Sequence, residues 1–274
     1  MQIGRCLALC LMAAAIVSAQ PADELPYGKI VQLEGPIGLR DGRSVMNWAM
    51  QVADLGGSNG GYWDEETGIL ALRGRPEEVE LVEWFTSEFV DPSGAAGEIV
   101  SRQFPSALPG RPGPPPPAPD RYRPEPNEIV RILFVPRSGN ERVFGNLVNM
   151  AGRISGVRSM GGLTEIPTDL NQYAVIMRGN AAAVDTAEWI VRDVLDPPDS
   201  RLSHERALEA SGQRLRIFHL PAPPTEGRLN AMVRQLKVVT GAEAFGTAPP
   251  SVILVWGSPE QLQAAEDTLP YLLN

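Results

Sequence analysis

Residues 68–85 read GILALRGRPEEVELVEWF, and residues 173–190 read YAVIMRGNAAAVDTAEWI. Each is an apolar run that closes on Arg-Gly, followed by an amphipathic stretch that reaches Glu-Trp. A short apolar run stopped by glycine reads as a strand, and apolar residues three and four apart read as a helix. The first helix opens at Pro76 and is built on Val79, Val82 and Phe85. The second is capped by Asn180 and buries Val184, Ala187, Val191 and Val194. A third copy follows at 252–256, VILVW, stopped by Gly257. After it, Ser258-Pro259-Glu260-Gln261 is a capping box with proline in the first turn, and Leu262, Ala265 and Leu269 face inward. Gly74, Gly179 and Gly257 are therefore equivalent structural turns, where a strand bends sharply into a helix.

The residues ahead of each copy repeat as well. Strands at 30–33, 129–135 and 215–220 each precede a helix. The helix faces are Val45, Trp48, Ala49, Val52 and Leu55, then Val143, Leu147, Met150, Ala151 and Ile154 after a cap at Asn140, then Leu229, Met232, Val233 and Leu236. A hairpin strand before each glycine-bearing strand, at 61–64 in the first copy, completes the unit. The expected fold is α+β: three small β-α-β-β-α modules, each a three-stranded sheet with two helices on one face, joined by linkers. Modules of about 60 residues are marginal alone, so each must lean on a neighbour. Modules two and three, with the shorter linker, are the expected pair.

The first nineteen residues stand apart. Arg5, an apolar run and Val17-Ser18-Ala19 read as a signal peptide cleaved near Ala19, with an uncleaved membrane anchor as the competing reading. No later segment is long and apolar enough to span a bilayer, so no transmembrane segment is expected in the mature chain. The expected layout is a signal peptide at 1–19, module one at 26–90 and a proline-rich linker at 91–127. Module two at 128–195, a linker at 196–212 with a short helix near 203–210, and module three at 213–274 complete it. The proline-rich linker reads as a spacer too poor in apolar residues to bury a core. Both cysteines, Cys6 and Cys10, lie in the leader, so the mature chain holds no disulfide and no thiolate ligand. The formal charge of −9 argues against nucleic acid as a partner. Much of it sits in module one, where 26–90 hold five basic and eleven acidic side chains.

Module one carries Asp64-Glu65-Glu66-Thr67-Gly68-Ile69-Leu70, then Leu72-Arg73-Gly74, then Pro76-Glu77-Glu78-Val79. This resembles the periplasmic N-terminal, NolW-like modules of secretins, which have Asp-x-x-Thr-Asn before the strand and Gly-x-Pro-Glu at the helix start. Module three keeps Gly257-Ser258-Pro259-Glu260-Gln261-Leu262; module two keeps the shape but has alanines where Pro-Glu would stand. The resemblance covers about two thirds of the mature chain and implies ring-forming modules that bind envelope proteins. The secretin pore domain does not follow the third module, so the recognition part alone is expected.

Chemistry is sparse. Gly56-Gly57-Ser58-Asn59-Gly60 matches a nucleophile elbow and a nucleic-acid clamp as a string, but a helix precedes it and a strand follows, so it reads as a turn. His204 falls in a linker and His219 at a strand end. Asp64, Glu65 and Glu66 read as a solvated turn rather than a calcium loop. No catalytic residue, cofactor or metal is expected. Trp84 and Trp189 share one helical position at the edge of the apolar stripe, either closing the core or touching another module. Trp256 stands where the other modules have Arg73 and Arg178. If those arginines face solvent, Trp256 is an exposed interface anchor, and with Trp84 and Trp189 it makes the candidate interface set.

The expected function is an exported, non-enzymatic assembly protein in the periplasm or outside the cell. Its expected partners are envelope proteins, a secretin or pilus-assembly component by resemblance, or further copies of itself. The alternative is a module binding cell-wall glycan, for which Tyr62-Trp63 is the one hint.

Overall fold

The computed structural model describes residues 27–32, 39–55, 60–64, 69–90, 98–108, 127–137, 141–163, 172–197, 203–208, 212–247 and 251–273. Residues 1–26, where the signal peptide is expected, residues 109–126 of the proline-rich segment, the expected Ser58 turn, Glu65, Glu66 and the expected Asn140 cap lie outside them. Module one runs β1 (Tyr27–Gln32), α1 (Leu39–Val52), β2 (Gly61–Asp64), β3 (Ile69–Gly74) and α2 (Pro76–Val90). A strand β4 (Val100–Gln103) follows. Module two runs β5 (Ile129–Pro136), α3 (Glu141–Ser155), β6 (Ser159–Leu163), β7 (Gln172–Gly179) and α4 (Ala181–Leu195). After β8 (Ser203–Leu208), module three runs β9 (Gln213–His219), α5 (Glu226–Thr240), β10 (Glu243–Thr247), β11 (Val252–Gly257) and α6 (Pro259–Leu273). The fold is α+β with the unit β-α-β-β-α made three times.

The caps form as their residue types require. The Asn180 side chain accepts from the Ala183 amide at 2.8 Å. Ser258 and Gln261 bond reciprocally, the Ser258 amide reaching Gln261 Oε1 at 2.9 Å and the Gln261 amide reaching Ser258 Oγ at 3.3 Å. Glu78 does the same at α2, accepting from the Arg75 amide at 2.9 Å. These back-reaching side chains explain Gly74 and Gly257 better than backbone freedom does, while at Gly179 the Arg158 amide nitrogen lies 3.2 Å from where a Cβ would be. Positive φ among the described glycines falls at Gly156, Gly212 and Gly241, not at Gly74, Gly179 or Gly257. A Cβ on Gly257 would collide with Gln261 Oε1, and one on Gly74 would sit 2.9 Å from Glu78 Oε2. The capping side chain passes where the Cβ would be.

All three sheets are antiparallel, ordered β1-β3-β2, β4-β5-β7-β6 and β8-β9-β11-β10. Modules two and three therefore have four strands where three were expected, and each fourth strand comes from a segment read as linker. Residues 203–208 form an edge strand rather than the short helix expected there, because an open edge of β9 offers a full ladder of partners. β4 pairs with β5 in the same way, and Phe104 and Leu108 just beyond it are buried. That part of the spacer has a core after all.

The modules are stacked. In β5 and β7 every second residue faces the module's own helices: Leu133, Val135, Tyr173, Val175 and Met177 pack with α3 and α4. The alternate residues, Val130, Ile132, Phe134, Ala174 and Ile176, pack with α1 and α2 of module one. Module three repeats this: Ile253 and Val255 face α5 and α6, while Val252, Leu254, Leu215 and Ile217 join the core of α3 and α4. The order of layers is sheet, helix pair, sheet, helix pair, sheet, helix pair. Each inner sheet is covered on both faces, which is why β5 and β7 are apolar almost throughout. Module one packs on module two as well, so the expected pair of modules two and three is one of two joints in the stack.

Candidate functional site

The stack contains one joint made twice. Its parts are found by aligning the first helices, which end at Asp54, Gly156 and Gly241 with φ of 56°, 72° and 66°. This sets Val52, Ile154 and Val239 as equivalents, one helical turn's end each. Register in the sheets sets Arg73, Arg178 and Trp256 as equivalents, each just before the turn glycine.

At the first joint, Arg178 is 4% exposed. Its guanidinium donates to the Val52 carbonyl at the end of α1, to Glu128 at 2.8 Å and to Asp54 at 3.0 Å. Arg158 joins the same acids, at 2.8 Å from Glu128 and 3.2 Å from Asp54. Around this cluster Phe89 meets Phe134 edge-on at 5.4 Å, Trp84 packs on Phe104 at 5.5 Å, and the Trp48 ring lies over Gly161.

At the second joint, Trp256 stacks on Phe245 with centroids 4.9 Å apart and faces Arg153 and Ile154 at the end of α3. A cleft of about 710 Å³ stays open beside it, lined by Arg153, Asn180, Thr186, Leu208 and Gln213. Trp189 lies under the Arg206 guanidinium, 5.9 Å from the ring centroid. The three expected anchors behave alike: Trp84, Trp189 and Trp256 are all half-buried and all touch a neighbouring module of the same chain. Of the arginines compared with Trp256, Arg73 faces solvent and Arg178 does not.

Two half-joints are left over. The face of sheet β1-β3-β2 turned away from α1 and α2 carries a cross-strand row of Ile30, Ala71 and Tyr62, with Arg73 beside it. At the other end, Val238 and Tyr271 stand on the sides of α5 and α6 opposite their buried rows. Val239 and Leu273 lie near the ends of those helices. The exposed large apolar residues of the described chain are Ile30 (71%), Tyr62 (69%), Val238 (84%), Val239 (62%), Tyr271 (81%) and Leu273 (41%), and Ile30, Tyr62, Val238 and Tyr271 lie on the two uncovered faces. Val239 is the equivalent of Val52, which is fully buried.

A further cluster was not foreseen. His204 on β8 and His219 at the end of β9 converge on Asp193 of α4, across the second joint. Their positions in sequence, a linker and a strand end, give no hint of this, because the meeting depends on the stack. Trp63, the aromatic hint for a glycan site, turns inward against the module-one core with its indole nitrogen buried.

No helix among the described residues is long and apolar enough to cross a membrane. The sequence matches no family model and no curated protein. Among solved structures the chain is similar to Aeromonas hydrophila ExeD, at TM-score 0.20 and 12% identity over 91% of this chain and 41% of that one. It is also similar to a chain of the ETEC pilotin–secretin AspS–GspD complex, at TM-score 0.19 and 16% identity over 92% of this chain and 38% of that one. The chain therefore spans about two fifths of the length of those secretin chains.

Proposed function

We propose that this is a non-enzymatic assembly protein of the cell envelope that extends its own stack into partner proteins. The observation that carries the reading is that four of the six exposed large apolar side chains of the described residues, Ile30, Tyr62, Val238 and Tyr271, lie on the two uncovered faces. Isolated exposed apolar residues are ordinary; their segregation to both ends of a repeat array is what an uncapped array presents. An incoming helix pair would cover Ile30, Ala71 and Tyr62, and its first helix would set its C-terminal carbonyls against Arg73, as α1 does against Arg178. An incoming sheet would cover Val238 and Tyr271. The partner is a protein with a module of the same kind. The secretin-like motifs at 64–79 and 257–262 make a secretin or pilus-machine component the first candidate and a second copy the next. After export, the periplasm is where such partners meet it.

The test places a photo-crosslinking amino acid at Tyr62 or at Tyr271 in cells making the tagged protein. Cross-links from both positions to an envelope protein are expected, and an Ile30→Glu change should abolish those at Tyr62 with no change in Tm. Adducts from neither position, or capture of glycan alone, would defeat the reading. Glycan binding is the less supported alternative, since Trp63 packs against the core rather than forming a platform with Tyr62.

A further inference from the structure

The chain has two histidines, and both lie at one buried carboxylate. Asp193 is 1% exposed. Its Oδ1 is 2.6 Å from His204 Nδ1, and its Oδ2 is 3.0 Å from His219 Nε2. One donor atom from each of the three residues can be chosen so that all lie within 4.8 Å of one another. The two rings are edge to face at 5.5 Å.

The first joint shows what this position needs for structure alone. Register aligns His204 with Arg102 and His219 with Phe134, and the helices align Asp193 with Glu88. There, Glu88 meets Arg102 at 3.5 Å and Phe134 packs on Phe89. One fixed cation and one apolar ring close that joint. At the second joint both positions carry imidazole, and both imidazoles turn to the same acid. Neither change is required for packing, and together they create a nitrogen-nitrogen-oxygen donor set. Asp193 Oδ1 and His204 Nδ1 lie 2.6 Å apart without the alignment of a hydrogen bond.

We infer that Asp193, His204 and His219 form a binding site for a late first-row divalent cation, Zn²⁺ in the first instance, that ties module two to module three. Two neutral imidazoles and one carboxylate suit Zn²⁺, whose bonds to such ligands are about 2.0–2.2 Å, with a fourth tetrahedral position left over. His219 is the most exposed of the three, so the fourth position opens on its side and takes water. Oxygen-seeking Mg²⁺ and Ca²⁺ are disfavoured by the two nitrogens. Because the ligands come from α4, β8 and β9, the ion would hold the joint rather than one module.

The mature protein, stripped with chelator, should be titrated with Zn²⁺ by calorimetry and separately with Co²⁺ by visible absorption. One Zn²⁺ per chain, an intense tetrahedral-type Co²⁺ spectrum and a Zn²⁺-dependent rise in Tm are expected. His219→Ala should weaken Zn²⁺ binding by at least about 10-fold and remove the rise in Tm. Asp193→Asn serves as a second variant of nearly equal size. The inference is overturned if the wild-type protein shows no saturable Zn²⁺ binding, or if both variants bind Zn²⁺ as tightly as it does.

Discussion

The two joints share a backbone plan and differ in almost every side chain that closes them. In the first, a buried arginine grips the end of the preceding helix, phenylalanines fill the middle and a glutamate meets an arginine at the edge. In the second, tryptophan replaces the arginine, a cleft remains beside it and two histidines meet an aspartate. The shared plan comes from the sheets: apolar residues on both faces of β5, β7 and β11 leave each sheet needing a cover on either side. The differing side chains decide how firmly each cover is held. The first joint is closed by permanent charge and apolar packing. The second keeps an open cleft beside its tryptophan and meets its buried aspartate with two imidazoles.

The sharpest way to break this contrast is to remove the arginine. Arg178→Ala removes the more deeply buried of the two arginines that hold Glu128 and Asp54 and frees the Val52 carbonyl. Removing one member of a buried ion cluster costs about 3–5 kcal/mol, because the remaining charge stays desolvated. Urea unfolding should show that loss. Trp256→Ala, at the equivalent but half-open position, should cost clearly less. Equal losses would mean that the two joints are equally tight.

A smaller effect is expected from crowding the first joint. Gly161 on β6 lies under the Trp48 ring, where an added Cβ has no room. Gly161→Val should cost about 1–3 kcal/mol as the ring and α1 shift. Its counterpart on β10 is Phe245, a ring that already fills the second joint against Trp256. Because module one seats on module two, Gly161→Val should also quicken proteolysis within residues 91–127. Unchanged cleavage would place module one elsewhere.

The repeat itself was legible because it rests on local signals. Strand, glycine, cap and helical spacing recur three times, and the capping box at Ser258 formed as written. β4 and β8 were missed for the opposite reason. VSRQ and SHERAL have no strand pattern that stands out alone; they become strands by pairing to an open edge. The stack left a readable trace that the module reading passed over. YAVIM and ILFV are apolar on both faces, too apolar for a sheet covered on one side only. Helical position places Trp84 and Trp189 at the rim, and alignment with Arg73 and Arg178 singles out Trp256. Neither could say that the neighbour across the rim was the same chain. The histidine cluster had no local trace, because its three residues come from a helix and two strands of different modules.

The gentlest test concerns how each edge strand is pinned. Arg131 on β5 and Arg216 on β9 are equivalents. Arg131 reaches its own helix at Asp185 and Glu188 and the edge strand at Gln103, 2.6 Å away. Arg216 reaches its own helix at Glu266 and the edge strand at Glu205, which Arg214 also meets at 2.5 Å. So β4 is pinned by a neutral amide and β8 by a carboxylate. Partial burial pushes the Glu205 carboxyl upward, but hydrogen bonds from Arg216 and Arg214 outweigh it and hold the group below the usual glutamate range. A folded pKa lowered in this way contributes stability above the unfolded value, about 4.3, and loses it as pH falls through the folded value. Wild type should therefore exceed Glu205→Gln by about 0.5–1 kcal/mol near neutrality, with the gap closing in acid below the ordinary glutamate range. Gln103→Glu should create a comparable acid-sensitive gap at β4, since Arg131 already stands opposite. A gap at Glu205 that stays constant into strong acid would show that the carboxylate does not hold β8. The two edges would then differ in sequence but not in how they are held.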